Sequence, residues 1–306
     1  MKLRALLIAG PTASGKSAAA LTLAQKLGGT IVNADSMQVY RDLRVLTARP
    51  SLNEESLAPH ELFGCVDGAV NFSAGRWLVE AEAVISRIVA QGRRAIFVGG
   101  TGLYFRALTR GFSEIPAVPE DVRTRVRAEA KPFASATLHA QLAARDPATA
   151  AKLRPSDRQR TLRALEVYAA TGQPLASFQG ARGAPVLEPG QWAGIFLAPD
   201  RKLLDAAIAR RFAAMLDAGA LEEVAALASR KLDPALPIMR AHGAPHLIAH
   251  LAGQLSLEDA ASRATLDTRR YAKRQFTWAR HQMSEFAWVA PEKAVEAAER
   301  AIDGFR

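Results

Sequence analysis

The sequence predicts an α/β protein, a P-loop-type parallel sheet flanked by helices and carrying a helical insertion domain. Three observations predict it. Gly10-Pro11-Thr12-Ala13-Ser14-Gly15-Lys16-Ser17 fits the phosphate-loop pattern G-x-x-x-x-G-K-[ST] without a mismatch and lies between a short apolar run and a helical one. Further apolar runs alternate with helical stretches and end in Asp or Gly, as strands of a doubly wound sheet do. From about residue 115 to 189 the apolar runs vanish, and helical patterning broken by Pro132, Pro147 and Pro155 replaces them.

Taken in order, residues 3–9 read as a buried strand, and residues 17–27, with Ala18, Leu21, Leu23, Ala24 and Leu27, read as a helix closed by Gly28-Gly29. Residues 30–34 form a second strand ending at Asp35, and residues 95–98 a third running into Gly99-Gly100-Thr101-Gly102. In such sheets ligands sit beyond the carboxyl ends of the strands, so Asp35, Thr101 and the phosphate loop are expected around one crevice. In the insertion, Ser156 with Gln159 reads as a capping box, and Gly172 before Pro174 stops the helix. Leu162, Leu165 and Ala169 share an apolar face of that helix, while Gln159 and Arg163 share a polar one. Residues 191–197 return as a strand. The remainder reads as helical, with one long helix over about 256–284 whose Arg269, Arg270, Lys273, Arg274 and Arg280 fall within an arc of roughly 140°. The domain reading is residues 1–114 together with 190–306 as the catalytic core, and 115–189 as the insertion.

Composition narrows the classes. With 306 residues, 49% apolar and 23% charged, the chain can bury a proper core. Forty Lys and Arg against 30 Asp and Glu give a net charge of +10, which fits a polyanionic partner better than a neutral metabolite. The single cysteine, Cys65, excludes an internal disulfide framework and an all-Cys metal cluster, and suits a reducing cytoplasm. No apolar stretch is long enough to cross a bilayer, and the first strand runs straight into the phosphate loop where a signal peptide would have its cleavage site. A cytoplasmic monomer without membrane attachment is expected.

The loop brings phosphate chemistry. Its glycines turn backbone N–H groups inward, the following helix points its positive end at the same place, Lys16 adds charge and Ser17 can ligate Mg²⁺. An NTP-hydrolysing protein normally has a strand ending in an Asp near the metal, but Phe97-Val98 runs into glycines here. Asp35 is the acid at a predicted strand end, either a metal-shell ligand or a base that deprotonates an acceptor beside the phosphates.

Four segments together resemble the bacterial tRNA dimethylallyltransferase family: Asp35-Ser36-Met37-Gln38-Val39-Tyr40, Gly99-Gly100-Thr101-Gly102-Leu103-Tyr104-Phe105, Asp157 to Glu166, and Thr268-Arg269-Arg270-Tyr271-Ala272-Lys273-Arg274-Gln275. The resemblance implies transfer of a dimethylallyl group from dimethylallyl diphosphate to N6 of the adenine immediately 3′ of the anticodon in tRNA, with Mg²⁺. It implies that residues Gly10, Pro11, Thr12, Ala13, Ser14, Gly15, Lys16 and Ser17 hold the diphosphate, Ser17 also the metal, and that Arg211 reaches the same diphosphate. Asp35 becomes the general base. Asp35, Ser36, Met37 and Gln38 would hold the target nucleotide, Thr101 and Arg123 would touch the tRNA, and Gln159, Arg160, Thr161, Leu162 and Arg163 would grip the anticodon loop.

Some positions depart from the commoner family pattern. Pro59-His60-Glu61-Leu62 lacks a second histidine, Leu46-Thr47-Ala48-Arg49-Pro50 replaces Gly-Thr-Ala-Lys-Pro, and Ala241-His242-Gly243-Ala244-Pro245 stands where Ile-Gly-Tyr is usual. His60 reads as structural. The competing readings are a P-loop small-molecule or nucleotide kinase and an NTP-switched RNA-binding module. The kinase leaves the Gln159 and Arg163 face, the basic stripe and the +10 charge without a task, and the missing carboxylate after Val98 argues against the switched RNA-binding module.

Overall fold

A computed structural model describes residues 3–180 and 183–304. Among these, six parallel strands form a single sheet in the order β3-β2-β4-β1-β5-β6: β1 (Ala5–Ala9), β2 (Thr30–Asn33), β3 (His60–Glu61), β4 (Ala95–Gly99), β5 (Trp192–Leu197) and β6 (Ala287–Val289). The helices are α1 (Lys16–Leu27), α2 (Leu52–Leu57), α3 (Ala74–Ala90), α4 (Gly102–Arg110), α5 (Glu120–Ala130), α6 (Ser135–Arg145), α7 (Pro147–Ala150), α8 (Arg158–Thr171), α9 (Arg201–Asp217), α10 (Ala220–Ser229), α11 (Ala244–Leu251), α12 (Leu257–Gln282) and α13 (Ala294–Asp303).

The strand sequences are apolar throughout because both sheet faces are covered. Leu6, Ile8, Ile96, Val98, Ile195 and Leu197 point to the side where α1 and α13 pack. Leu7, Val32, Phe97 and Phe196 point to the other side, into a larger core with Trp77, Phe105, Phe212 and Phe286. Strand β1 is central, in register with β4 (Ala5 to Ala95, Ala9 to Gly99) and with β5 (Ala5 to Trp192, Ala9 to Phe196). The carboxyl ends of β1, β2 and β4 therefore finish side by side.

The chain divides into two compact units, one running to Thr109 and resuming at Val186, the other Arg110–Pro185. The second unit has its own core, in which Val126, Leu138, Leu142, Leu165, Val167 and Leu175 are buried.

Three sequence expectations are corrected. The insertion helix is capped by Asp157, whose side chain accepts from the Arg160 amide, so the Ser156 capping box does not form. Either residue can cap, and the choice falls one position later. Ala169 is exposed, and Ala164 and Val167 take its place in the core. The region after Leu197 is not wholly helical, because β6 adds an edge strand to β5. Three residues with Ala287 and Trp288 exposed carry no periodicity to read. The long helix is α12, with Ser256 as its cap accepting from Asp259.

Candidate active site

The phosphate loop joins β1 to α1. Ala13 and Gly15 sit in left-handed backbone at φ 59° and 82°, which curls the loop, and a side chain at Gly10 would run into Ser14 Oγ at 2.8 Å. Gly15 caps α1 without a side-chain hydrogen bond, so the first amides of the helix are left to an external acceptor. Ser14 Oγ is buried and has no hydrogen-bond partner among the described residues. A loop with unfilled donors and a buried orphan hydroxyl fits a phosphate group. Lys16 Nζ donates to the Pro11 carbonyl at 3.0 Å, which lays its side chain across the loop.

Around that loop three charged groups from distant segments meet. Burial, and then the neighbouring Arg211 guanidinium, push the Lys16 ammonium down to about 8, against the pull of Asp35. Burial also lowers Arg211, again opposed by Asp35. Two desolvated cations side by side with a single carboxylate nearby leave an excess of positive charge that a diphosphate would relieve.

Asp35 is held just past β2. Its backbone N–H donates to Asn33 Oδ1 at 2.8 Å, and its own Oδ1 accepts from the Met37 amide at 2.9 Å. This leaves Oδ2 to the cavity. Asn33 is fully buried, its Nδ2 donating to the carbonyls of Asp35 and Leu62 and its carbonyl accepting from Trp77 Nε1. It went unnoticed in the sequence because it reads there as a strand residue. Thr101 Oγ1 accepts from the Ser36 amide at 2.9 Å, and the Thr101 N–H donates to the Ala34 carbonyl, tying the end of β4 to the end of β2.

The glycines after β4 owe their identity to close packing. A Cβ at Gly99 would lie 2.0 Å from the Ala34 carbonyl, one at Gly100 2.2 Å from Gln275 Nε2, and one at Gly102 2.2 Å from the Trp278 ring. Helix α12 thus presses Gln275 and Trp278 directly onto this turn. Gln275 bridges it to the phosphate loop, accepting from the Thr12 amide at 3.2 Å and donating to the Gly100 carbonyl at 2.8 Å.

Two cavities flank this bridge and share Tyr271 and Gln275 as lining. One, of about 200 Å³, is bordered by Thr12, Asp35, Arg211, His242 and Tyr271, with apolar walls from Leu46, Phe212 and Met215. The other, of about 220 Å³, is bordered by Gly10, Thr101, Leu103, Phe196, Trp278 and Met283. The Tyr271 ring lies 4.5 Å from that of His242, and burial raises its phenol. His242 is lowered by burial and by Arg274. In the sequence Gln275, His242 and Tyr271 carry no site role, Gln275 and Tyr271 standing there only within the Thr268 to Gln275 segment. The recoverable signal was the i, i+4, i+7 spacing of Tyr271, Gln275 and Trp278.

Several expected residues are placed differently. Gln38 does not line either cavity; its Nε2 donates to the carbonyls of Thr47 and Ala48, both at 2.9 Å. Its neighbours Ser36 and Met37 do line the Asp35 cavity. In the helical unit Gln159 and Arg160 are exposed, but Thr161 is fully buried, which corrects its expected contact with RNA to a packing role. Leu162 is half-buried against the unit's core. Arg163, Arg127 and Arg123 all surround the buried carboxylate of Glu166, at 3.8, 2.7 and 4.0 Å. Arg123 also pairs with Glu120 at 2.6 Å. The basic residues of α12 are all exposed, with Arg274 over the Tyr271 ring. His60 binds the Ala58 carbonyl and packs edge-on to Phe63, a structural role.

Among the described residues no group of three or more His, Cys, Asp or Glu side chains could cage a metal. The exposed Ser17 hydroxyl at the start of α1 suits an ion that arrives with its own phosphate oxygens and water. No helix of the described residues is long and apolar enough to cross a membrane.

A family model described as IPP transferase matches residues 38–282, and one described as isopentenyl transferase matches residues 3–58. The chain is 61% identical over 293 residues to a tRNA dimethylallyltransferase of Methylocella silvestris, covering 96% of this chain and 97% of that one. A counterpart in Beijerinckia indica is 59% identical over 290 residues, with 95% and 96% covered. Among solved structures, the tRNA isopentenylpyrophosphate transferase of Bacillus halodurans aligns with a TM-score of 0.70 at 31% identity over 99% of this chain and 97% of that one. A eukaryotic dimethylallyltransferase acting on tRNA aligns at 0.79 and 26% identity, over 98% and 78%.

Proposed function

The chain belongs to the IPP transferase family, and from that premise we propose that it transfers a dimethylallyl group from dimethylallyl diphosphate to N6 of the adenine immediately 3′ of the anticodon in tRNA. The observation that carries this reading is that Arg211 and Asp35 border one cavity and both act electrostatically on Lys16 at the open N-terminus of α1. Cations and amides gather where a leaving diphosphate needs them, and the carboxylate stands where a nucleophile loses its proton.

In this mechanism the loop amides, Lys16 and Arg211 take up the charge that develops as the allylic C–O bond breaks. Lys16, partly neutral in the free protein near pH 8, gains its full charge when a diphosphate arrives. The adenine amino group attacks the freed carbon, forming the C–N bond, and Asp35 Oδ2 accepts the amino proton. Asp35 Oδ1, already engaged by Met37 N–H, fixes the carboxylate's orientation. Ser17 is the side chain that would hold Mg²⁺, whose chemistry is neutralisation of the diphosphate charge. Tyr271 and His242, whose rings line the same cavity, offer faces on which an extruded adenine can stack, and a loop base is cheaper to extrude than a paired one. Gln159, Arg160, Arg163 and Arg123 would grip the anticodon stem-loop, Ser36, Met37 and Thr101 the target nucleotide, and the enzyme would act as a cytoplasmic monomer.

The test is incubation with labelled dimethylallyl diphosphate, unmodified tRNA and Mg²⁺, repeated with ATP alone. Label is expected in tRNA, on the adenine next to the anticodon. ATP consumption without label transfer would favour a kinase instead.

A further inference from the structure

The segment between Asp35 and α2 supplies Leu46 and Thr47 to one wall of the Asp35 cavity, and Arg211, Phe212 and Met215 of α9 supply another. Helix α10 follows α9, and its Glu223 reaches across to that segment. Glu223 Oε1 accepts from the Arg44 amide and from the Val45 amide at 3.0 Å, while Oε2 accepts from the Leu46 amide at 2.9 Å. Three successive amides aimed at one point form an anion-binding concavity, and a side chain of this protein fills it. Gln38 holds the other end of the segment through the Thr47 and Ala48 carbonyls. Ala48 itself sits in left-handed backbone at φ 50°. Residues 44–48 belong to no helix or strand, so these side chains set where Leu46 and Thr47 stand. Glu223 is the clasp that spans the seam between the two walls, and the reaction described above makes no use of it.

We infer that Glu223 is a positioning residue that seals this seam against water during prenyl transfer, an inference that rests on the proposed function. Once the allylic C–O bond breaks, two nucleophiles compete for the carbon. Attack by N6 forms the C–N bond with its proton passing to Asp35. Attack by water forms dimethylallyl alcohol, its proton passing to solvent, with diphosphate leaving in both cases. A closed wall favours the first route. Glu223→Gln retains an oxygen for two of the amides but turns an N–H toward Leu46 N–H, so the clasp opens at the residue that borders the cavity.

The experiment measures the ratio of labelled tRNA to labelled dimethylallyl alcohol in the full-length protein with Mg²⁺ and unmodified tRNA. In Glu223→Gln the ratio should fall about tenfold, the effect of one lost hydrogen bond to a charged acceptor. Pyrophosphate affinity should hold, and the exposed neighbour variant Glu222→Gln should match wild type in ratio. Leu46→Ala trims the wall with the clasp intact and should lower the ratio as well; an unchanged ratio there would mean that this wall does not exclude water, which overturns the inference even if Glu223→Gln does not fold. An unchanged ratio overturns the inference, including the case where transfer and hydrolysis fall in step, as they would for loss of folded protein. Wild type that labels no tRNA overturns the proposed function, and this inference with it, a result distinct from an unchanged ratio.

Discussion

The phosphate-loop side of the active site and the helical unit Arg110–Pro185 use basic residues in opposite ways. Around the loop, Lys16 and Arg211 are desolvated together and left short of negative charge, with Asp35 the carboxylate that opposes them. In the helical unit, Arg123, Arg127 and Arg163 already share a buried carboxylate, Glu166. Arg163 is lowered by burial, but Glu166 opposes that shift more than any other group. The difference teaches what each cluster is built for. An under-compensated pair stores affinity for an anion of fixed position, whereas a comb of arginines on an internal anchor holds its shape without a ligand and offers its outer N–H groups to whatever surface docks.

The largest effect tests the under-compensated side. Asp35→Asn keeps the Met37 turn, since its Oδ1 can still accept, but removes the proton acceptor. Single-turnover transfer should fall by about 10²–10⁴ while pyrophosphate and tRNA affinities stay within a few fold. Near-normal transfer would remove Asp35 from the chemistry and leave it as a charge that merely balances Lys16 and Arg211.

Next in size is the anchor. Glu166→Ala leaves three guanidiniums crowded about an empty buried position, with about a third of their surface exposed to screen them. Loss of a buried partner costs about 3–5 kcal/mol when desolvation is complete, so about 2–3 kcal/mol is expected here. Hydrogen exchange in α5 and α8 should accelerate about 30- to 160-fold, with pyrophosphate binding untouched. Equal acceleration across the sheet would mean that the two units do not keep separate stabilities.

How much of this contrast was legible in the sequence differs between the two regions for a physical reason. The loop depends on backbone conformation at fixed chain positions, so Gly10 to Ser17 announce it, and Asp35 follows because a strand end leads to a crevice. Gly99 to Gly102 were visible as a strand end. Their cause, α12 lying on them through Gln275 and Trp278, was not, because it joins residues far apart in the chain. The same distance hid Asn33 behind its strand pattern and Glu223 behind an ordinary helical one. In the helical unit periodicity separated faces but could not say which polar residue goes inside, so Thr161 and Glu166, both buried, looked like surface. The β6 strand was too short to have a pattern at all.

The pH dependence sharpens the contrast on the loop side. Lys16 titrates near 8 in the free protein, below its usual 10.5. Its charge is therefore present below that pH and fades above it, and a bound diphosphate restores it by drawing in a proton. Pyrophosphate affinity of the wild type, relative to Lys16→Arg, should fall by up to about tenfold per pH unit above 8 and run parallel below. The same depression has a sign for folding. The unfolded chain holds this proton up to 10.5, so the shift opposes folding at neutral pH, and that opposition fades as pH rises from 8 to 10.5. Parallel binding curves throughout would mean that Lys16 is not the group that meets the diphosphate.

The smallest effects per contact belong to residues at the surface, Gln159 exposed and Arg163 half-buried beside Glu166. Gln159→Ala with Arg163→Ala removes an exposed amide and one tooth of the Glu166 comb, and each lost contact to RNA should cost on the order of 1–3 kcal/mol. Pairwise substitution in the Arg269, Arg270, Lys273, Arg274 and Arg280 face should instead weaken binding of many RNAs alike and flatten the dependence on salt by about one counterion per charge removed. The comparison is affinity for a cognate anticodon stem-loop against a scrambled loop, at two salt concentrations. Arg163 is held by Glu166 and would therefore present a fixed orientation to an RNA, which is what discrimination requires. The α12 residues are exposed and have no buried carboxylate among the described residues to fix them, so they can follow any phosphate backbone. If the Gln159 and Arg163 variant keeps full discrimination, the internal anchor serves only stability, and selection among loops must lie with the residues that line the Asp35 cavity.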